Sequence, residues 1–323
     1  MRIRQFQRRL ALAMSLAAIA SQSSTAWAQE VATNIEGVVK AGTKIELIKE
    51  GFKGTEGPLR LNDGSLIFTE TQDNRITRIA EDGSISSFLS DSNGSNGLGL
   101  GVNGEIYAVQ VLDTKVGIVY PPERAKTLAY EFEGLKFGRP NDLVLSSKGV
   151  VYFTDSGVNG PPKADAPAVA KPAVYRIDTQ AQLTRLLSDI ERPNGIQLSP
   201  DEKTLYVANT LGEYVLAYEI KSDGSLGPRQ NFARLQGWRK TENGYSSGAD
   251  GLAVDAAGRL FVATSAGVEV FSPHGAPQGI INVPKNPQNI AFAGKNKDIL
   301  YVVGRGAVYR IQTLTTGFTG RAK

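Results

Sequence analysis

The chain has 323 residues, with 36 basic and 32 acidic side chains, one histidine and no cysteine. Because cysteine is absent, no disulfide stabilises the fold. Four of the arginines lie among the first nine residues, so the rest of the chain is close to neutral and gives no reason to expect binding to nucleic acid or to an anionic membrane.

Residues 1–28 have the pattern of a signal peptide. Several arginines precede an apolar run from Leu10 to Ala20, and the small-residue pattern Ala26-Trp27-Ala28 follows. The run is too short to span a membrane, and the pattern predicts cleavage before Gln29. An arginine pair within the segment leaves twin-arginine export open as an alternative to the general route. We therefore expect a periplasmic or secreted protein whose residues 29–323 form a single domain.

Six repeats follow, and each begins with a polar residue that leads into an apolar strand. They recur every 39 to 56 residues and open at Glu56, Asn96, Asn141, Asn194, Asp250 and Asn289. Each continues through a turn into a second strand rich in β-branched and aromatic residues, and then into a third. Four strands per repeat are typical of a propeller blade, so the sequence predicts an all-β, six-bladed β-propeller. A pair of β-sandwiches is the alternative.

The sixth repeat ends after its third strand, near Ile311. A fourth strand is available at the other end of the chain, in residues 44–48. We predict that this N-terminal strand completes the last blade by pairing beside residues 307–312.

The six opening residues all carry side-chain oxygens and are predicted to converge on the channel axis. Turn preference explains Asn and Asp at such positions but not Glu56. Converging oxygens remain desolvated unless a cation binds them. Ligation by oxygen alone favours one divalent cation, Ca²⁺ before Mg²⁺ or Mn²⁺, and argues against a structural Zn²⁺.

The chain resembles the family of senescence marker protein 30, gluconolactonase and related sugar lactonases from about Glu56 to its end. The motifs that carry the resemblance are Thr55-Glu56-Gly57-Pro58, Gly138-Arg139-Pro140-Asn141-Asp142, Arg192-Pro193-Asn194-Gly195-Ile196, Ser199-Pro200-Asp201-Glu202-Lys203 and Ala249-Asp250-Gly251-Leu252. The resemblance implies a six-bladed propeller that hydrolyses a small sugar lactone. It also implies one divalent cation with four ligands: Glu56, Asn141, Asn194 and Asp250. We interpret Asn96 and Asn289, at equivalent repeat positions, as structural.

Roles follow from this assignment as expectations. Two of the four ligands are neutral amides, so only two carry negative charge, and we expect such a cation to act as a Lewis acid. We expect Asp250 to be the general base, with a nucleophilic or water-orienting role as the alternative. Arg139 and Asn141 are expected to contact substrate, although a salt bridge from Arg139 to Asp142 is a competing interpretation.

Strand direction places further residues at the same mouth of the channel. The second strands end there, at Glu70, Gln110, Asp155, Asn209 and Thr264. The connection 156–171 and the segment 238–248, which brings Trp238 and Tyr245, lie on the same face and wall the substrate pocket or form surface loops.

Other chemistries are disfavoured. The single histidine, His274, lies in a Pro-His-Gly turn, which argues against a Ser-His-Asp triad. The run Gly97-Leu98-Gly99-Leu100-Gly101 precedes a strand and not a helix, which argues against a phosphate loop. Two alternatives to a sugar lactonase stay open: a related metal-dependent hydrolase of other esters or organophosphates, and a non-catalytic binding propeller. We expect a monomer whose partner is a small-molecule lactone.

Overall fold

The computed structural model describes residues 30–160 and 165–321, and the predicted signal peptide lies outside them. Nearly all of this part of the chain is β-strand and turn. Its helical content is one three-residue 3-10 helix, Pro122–Arg124. No helix within the described ranges has the length and apolar character of a membrane span.

The strands form six four-stranded antiparallel sheets, which are the blades. A first strand, β1 (Ile45–Glu50), precedes blade 1, which contains β2 (Thr55–Arg60), β3 (Leu66–Glu70), β4 (Arg75–Ile79) and β5 (Ile85–Ser90). Blade 2 contains β6 (Ser95–Leu100), β7 (Ile106–Gln110), β8 (Lys115–Tyr120) and β9 (Lys126–Ala129). A short hairpin of β10 (Glu131–Phe132) and β11 (Leu135–Lys136) leads to blade 3, formed by β12 (Pro140–Leu145), β13 (Val151–Asp155), β14 (Ala173–Ile177) and β15 (Leu183–Leu187).

Blade 4 contains β16 (Pro193–Leu198), β17 (Thr204–Asn209), β18 (Tyr214–Glu219) and β19 (Gln230–Arg234). A second hairpin, β20 (Arg239–Thr241) and β21 (Gly244–Ser246), separates it from blade 5. Blade 5 contains β22 (Leu252–Val254), β23 (Leu260–Thr264), β24 (Gly267–Phe271) and β25 (Pro277–Ile281). Blade 6 takes β26 (Asn289–Ala293), β27 (Ile299–Gly304) and β28 (Ala307–Gln312) from this end of the chain.

The first strand of each blade lies innermost, and these six strands form a closed circle. Contacts run from β2 to β6, β12, β16, β22 and β26 in turn, and β26 contacts β2. The predicted six-bladed β-propeller is therefore confirmed, and the β-sandwich alternative is wrong.

The N-terminal strand closes this circle. β1 pairs antiparallel with β28, so that Ile45 lies opposite Ile311 and Leu47 opposite Tyr309. On the exposed face, Arg310 makes a two-point ion pair with Glu46, with both N–O distances at 2.8 Å. The predicted completion of the last blade is confirmed.

The core lies between neighbouring blades, because both faces of each sheet are covered. Between blades 5 and 6, the rings of Phe261 and Phe292 meet edge to face at 5.1 Å. Within blade 3, Phe153 stacks on Tyr175 at 5.1 Å, in a cluster that includes Val109 and Val116 of blade 2. Burial of such side chains is the main source of stability in a protein without disulfides.

The chain after β28 crosses the mouth of the channel at which the innermost strands end. We call residues 313–321 the C-terminal segment. Its main chain donates from Gly317 to Lys297 O at 2.8 Å and from Phe318 to Val254 O at 3.1 Å. Arg321 then reaches blade 4 and donates to the carbonyl oxygens of Leu198 and Ser199. This crossing was not expected from the sequence.

Candidate active site and metal centre

The six residues that open the innermost strands form a ring at the other mouth of the channel. The register of β2 against β3 puts Glu56 opposite Thr69, at the end of β3. Hydrogen bonds join members of the ring across blades. Asn96 Nδ2 donates to Asn141 O at 3.0 Å, and Asn289 Nδ2 donates to Glu56 Oε2 at 3.3 Å. The predicted convergence of these residues is therefore present.

Glycines after the ring residues allow the blades to approach this closely. Gly57 has φ +49°, and a Cβ atom there would lie 2.0 Å from Asn96 O in the next blade. A Cβ at Gly195 would lie 2.1 Å from Asp250 O. Any side chain at either position would push two blades apart, so these glycines set the width of the ring.

Glu56 is buried and receives two amide donors from blade 6. Gln288 Nε2 donates to Oε1 and Asn289 Nδ2 to Oε2, both at 3.3 Å. The remaining end of the Asn289 amide is also used, because its Oδ1 accepts from Ile290 N at 2.9 Å. Asn289 thus belongs to the scaffold that orients the Glu56 carboxylate.

Asn96 is completely buried and is bonded into the ring at both its main chain and its amide nitrogen. Its carbonyl oxygen accepts from Thr69 Oγ1 at 3.0 Å, and its Nδ2 donates to Asn141 O. Its Oδ1, however, is buried without a hydrogen-bond partner. The side chain therefore has a structural role and also keeps one unused acceptor.

The orientation of the Asn194 amide is set by a threonine that the sequence did not single out. Asn194 Nδ2 donates to Thr210 Oγ1 at 3.0 Å, and that hydroxyl donates onward to Ala249 O at 2.8 Å. Because the amide nitrogen is committed on that side, Oδ1 points away from Thr210. This oxygen is buried and has no hydrogen-bond partner.

Asp250 also carries an unpartnered oxygen, in addition to those of Asn96 and Asn194. Its Oδ1 is inaccessible to solvent and makes no hydrogen bond. Burial raises the pKa of this carboxyl well above its usual range, and the nearby carboxylates of Glu56 and Asp142 raise it further. The guanidinium groups of Arg139 and Arg305 act in the opposite direction.

These features fit a hard cation held by oxygen ligands. Asn194 and Asp250 each present a buried oxygen that a cation would satisfy, and the Glu56 carboxylate lies close enough to repel that of Asp250. Asn141 is 5% exposed in the same ring. Within residues 30–160 and 165–321, no group of three or more His, Cys, Asp or Glu side chains could share a metal ion. The candidate set instead combines two carboxylates with two amides.

Arg139 is positioned by a buried carboxylate at the end of β13. Asp155 accepts from Gly138 N and Arg139 N at 2.7 Å each, and from Gly157 N at 2.9 Å. Burial raises the pKa of Asp155, and the three N–H donors partly offset this. Asp155 lies at the predicted mouth, but its carboxylate holds the loop that precedes β12.

Other residues predicted for this mouth also form hydrogen bonds with neighbouring strands and loops. Glu70 is buried against Arg75 and Thr77, with contacts of 2.7 and 2.6 Å. Asn209 Oδ1 accepts from Arg192 N at 3.2 Å. The strand-end positions were thus correctly predicted, while their hydrogen bonds to the loops could not be read from strand direction.

A hairpin between blades 4 and 5 presents two stacked aromatic rings at this mouth. Trp238 and Tyr245 lie 4.7 Å apart with planes 17° from parallel, and Tyr245 is 52% exposed. Ser246 Oγ donates to Thr210 O at 2.8 Å and Ser247 N does so at 3.0 Å. The hairpin is therefore attached to the same threonine that orients Asn194.

Two other sequence predictions concern the periphery. His274 is exposed in the turn between β24 and β25, the two outer strands of blade 5, as its turn pattern indicated. In the connection 156–171, Asn159 Oδ1 accepts from Arg192 Nη2. Residues 161–164 of this connection lie outside the described residues.

Comparison with known proteins gives a family match over most of the chain. Residues 54–305 match the family described as the SMP-30/gluconolactonase/LRE-like region. A gluconolactonase from Zymomonas mobilis is 28% identical over 305 residues, which cover 88% of this chain and 85% of that protein.

Solved structures show the same architecture. A gluconolactonase from Xanthomonas campestris matches with a TM-score of 0.75 and 23% identity, over 88% of this chain and 95% of that one. A calcium-binding protein, regucalcin, from Agrobacterium tumefaciens matches with a TM-score of 0.67 and 18% identity, over 84% of this chain and 95% of that one. At these identities the likeness concerns the propeller fold.

Proposed function

Because the chain belongs to the SMP-30/gluconolactonase/LRE-like family, we propose that it is a lactonase that hydrolyses a small sugar lactone to the corresponding aldonic acid. The proposed cation ligands are Glu56, Asn141, Asn194 and Asp250. The observation that carries the proposal is the pair of buried, unpartnered oxygens, Asn194 Oδ1 and Asp250 Oδ1, beside the Glu56 carboxylate, whose charge raises the pKa of Asp250. A gluconolactonase 28% identical over most of both chains supports the substrate class.

The proposed cation is Ca²⁺, since every candidate ligand is an oxygen and one propeller of this fold is described as calcium-binding. When bound, the cation supplies Lewis-acid polarisation of a carbonyl group. Two of its four protein ligands are neutral amides, so only the Glu56 and Asp250 carboxylates carry charge, and together they just balance a dication.

The protein's own groups supply the remaining chemistry. Asp250 accepts a proton from the water that attacks the lactone carbonyl carbon. The bond between that carbon and the ring oxygen then breaks, and Asp250 returns the proton to the leaving ring oxygen, so that the open-chain product carries a hydroxyl group and a carboxylic acid group, which ionises in water. Glu56 stays a ligand, because Gln288 and Asn289 occupy its oxygens from one side. Arg139 contacts substrate hydroxyls, and its main chain is fixed by Asp155. These contacts orient the lactone relative to Asp250.

The stacked pair of Trp238 and Tyr245 forms one wall of the substrate pocket in this proposal. An exposed aromatic face is a suitable surface for the apolar face of a sugar ring. The hairpin and the Asn194 amide share Thr210 as an anchor, so this wall is held at a fixed position relative to the proposed ligands.

The test is hydrolysis of a panel of lactones by the full mature chain. It includes glucono-, xylono-, arabino- and galactonolactones, together with an aryl ester and an organophosphate. Each is assayed with chelator and after calcium is restored. We expect hydrolysis of at least one sugar lactone that is lost in chelator and recovered with Ca²⁺. Hydrolysis confined to the aryl ester or organophosphate would favour the related-hydrolase alternative, and no hydrolysis would favour a binding propeller.

Export is a separate proposal from catalysis. The pattern of residues 1–28 supports a periplasmic or secreted location. N-terminal sequencing of the soluble exported protein is expected to start near Gln29, and retention of Arg8 and Arg9 in that fraction would refute cleavage.

A further inference from the structure

Three cationic side chains converge at the mouth opposite the proposed active site. Arg60 ends β2, Lys297 lies in the turn between β26 and β27, and Arg321 belongs to the C-terminal segment. All three line one cavity of about 170 Å³. The other polar side chains that line it are those of Asn62, Ser146, Ser147 and Thr319, and we call it the opposite-mouth cavity.

The donors of these cations are directed mainly at neutral carbonyl oxygens. Arg60 Nε donates to Gly294 O at 3.0 Å. Lys297 Nζ donates to the carbonyl oxygens of Phe318 and Arg321. Carbonyl groups satisfy hydrogen bonds without cancelling charge, so three positive charges remain near one another.

Only one ion pair relieves this charge among the residues that the structure describes. Arg321 Nη1 lies 3.4 Å from Glu202 Oε1. The same carboxylate also accepts from Ser147 N at 2.7 Å and from Ser147 Oγ at 2.9 Å. Three cations and one carboxylate leave the cavity with excess positive charge.

Two observations indicate that this excess positive charge is energetically unfavourable. Burial, together with the nearby charges of Arg60 and Arg321, lowers the pKa of Lys297 to about 8. Arg321 has a side chain that is 5% exposed, and its Nε is buried without a hydrogen-bond partner. An unsatisfied buried donor beside uncompensated charge is the arrangement that an anion would stabilise.

We propose that the opposite-mouth cavity binds a small tetrahedral oxyanion, phosphate or sulfate, between Arg60, Lys297 and Arg321. The volume is well above the ~10–15 Å³ that one water needs. Bound there, the anion links the C-terminal segment to blades 1 and 6, while Arg321 and Ser147 bring blades 4 and 3 into the same contact. This site is independent of the proposed lactonase centre, which lies at the other mouth.

The test uses the full mature chain in chelator, so that the proposed calcium site does not contribute. Thermal unfolding is followed in sodium phosphate, sodium sulfate and sodium chloride at equal ionic strength and pH 7.5. We expect a saturable rise in the midpoint with phosphate, with sulfate or with both, and only a weak, unsaturated change with chloride. The salt whose effect on the unfolding midpoint saturates at the lower concentration contains the preferred oxyanion. Identical behaviour in all three salts would overturn the proposal.

Variants locate the site. Arg60→Gln, at a partly exposed position, is expected to abolish the saturable rise while the protein stays folded, and Lys297→Met is expected to do the same. Lys221→Gln, a cationic position lining a different cavity, is the matched control and should keep the rise in full. A full rise retained in Arg60→Gln would contradict the assignment.

Calorimetric titration of the wild type with the anion provides a second measurement. Near pH 8, binding should take up protons as Lys297 becomes fully protonated, so the measured enthalpy should depend on the ionisation enthalpy of the buffer. If Arg60→Gln disturbed only the structure, the anion would still bind and its binding enthalpy would still depend on the buffer. If Arg60→Gln removes the site, both the binding isotherm and its buffer dependence should be lost. A wild-type enthalpy that is the same in every buffer would count against participation of Lys297.

Discussion

Asn194 Nδ2, on β16 of blade 4, donates over 3.0 Å to Oγ1 of Thr210, in the turn that follows β17. The same hydroxyl donates to Ala249 O, the residue before Asp250. One side chain therefore both turns the Asn194 oxygen toward the ring and sets the distance between two proposed ligands on adjacent blades.

Thr210→Val should weaken calcium binding, because the Asn194 amide loses the contact that fixes its orientation. We expect a ~10-fold or greater rise in the calcium Kd, in line with the effect of removing groups that orient metal ligands. Thr210→Ser keeps the hydroxyl and should bind calcium nearly as the wild type does. Calorimetric titration with Ca²⁺ measures all three proteins, and equal affinity in the valine variant would contradict the positioning role.

Asp250→Asn should separate catalysis from binding, because it keeps the shape and one ligand oxygen but removes the base. We expect kcat to fall by at least ~100-fold with calcium still bound. Asn194→Ala is the contrasting variant: its activity should recover partly as calcium is raised, since its defect is in affinity. Wild-type turnover by a calcium-loaded Asp250→Asn protein would show that another group is the base.

Removing the cation should destabilise the fold, since Glu56 and Asp250 would then face each other without a counter-charge. A ligand that binds only the folded state adds about 2.7 kcal/mol at a hundredfold excess over its Kd. Melting curves in chelator and in calcium, both without phosphate or sulfate, give the difference. Superimposable curves would mean that these residues do not hold a cation.

Two arginine–glutamate pairs with similar geometry should differ in their effect on stability. Glu70 has a fully buried side chain and is bonded to Arg75 at 2.7 and 2.9 Å, while Glu46 is half exposed and is bonded to Arg310 at 2.8 Å. Glu70→Gln should lower the free energy of unfolding at pH 7 by ~2–3 kcal/mol, because it breaks charge-assisted bonds in a buried network. Glu46→Gln, the control, should cost less than ~1 kcal/mol.

Acidification provides a further test of the Glu70 pair. Burial tends to raise the pKa of Glu70, but the bonds from Arg75, Thr77 and Lys53 N together hold it below its ordinary value of 4.5. A lowered folded-state pKa contributes stability above pH 4.5 that is lost as the pH falls through the folded value. The difference in free energy of unfolding between the wild type and Glu70→Gln, measured by denaturant unfolding, should therefore become smaller below about pH 4.5. A difference that becomes larger below about pH 4.5 would contradict a lowered pKa of Glu70 in the folded protein.

Asp155→Asn should affect substrate binding more than the chemical step. The carboxylate accepts three main-chain N–H groups from the loops that carry Arg139 and Gly157, and an amide has only one acceptor oxygen. We expect KM to rise ~10-fold with a smaller change in kcat, because hydrogen bonds to a charged acceptor contribute ~1.5–3 kcal/mol each. A loss confined to kcat, with KM unchanged, would argue against this role.

The repeat pattern predicted the blades, their number and the closing strand, because each of these follows from local strand and turn signals. The repeat pattern also predicted that the six opening residues lie at one mouth of the channel. It did not distinguish Asn194 from Asn289, since that difference depends on where each amide nitrogen is bonded: to Thr210 in one case and to Glu56 in the other. Nor did it anticipate the C-terminal segment, whose contacts with Val254 and Leu198 join distant parts of the chain that share no pattern.

The composite last blade makes the order of folding depend on chain ends that are far apart. Glu46 and Arg310 are 264 positions apart, so their strand pairing cannot form in a nascent chain that has not yet reached β28. Blades 1 to 5 can assemble one after another, but each intermediate keeps an open arc with unpaired strand edges. Pairing over such a separation is slow, and exposed edges favour association with other chains. Refolding should therefore be limited by closure of the arc, and aggregation should compete most strongly just before that step.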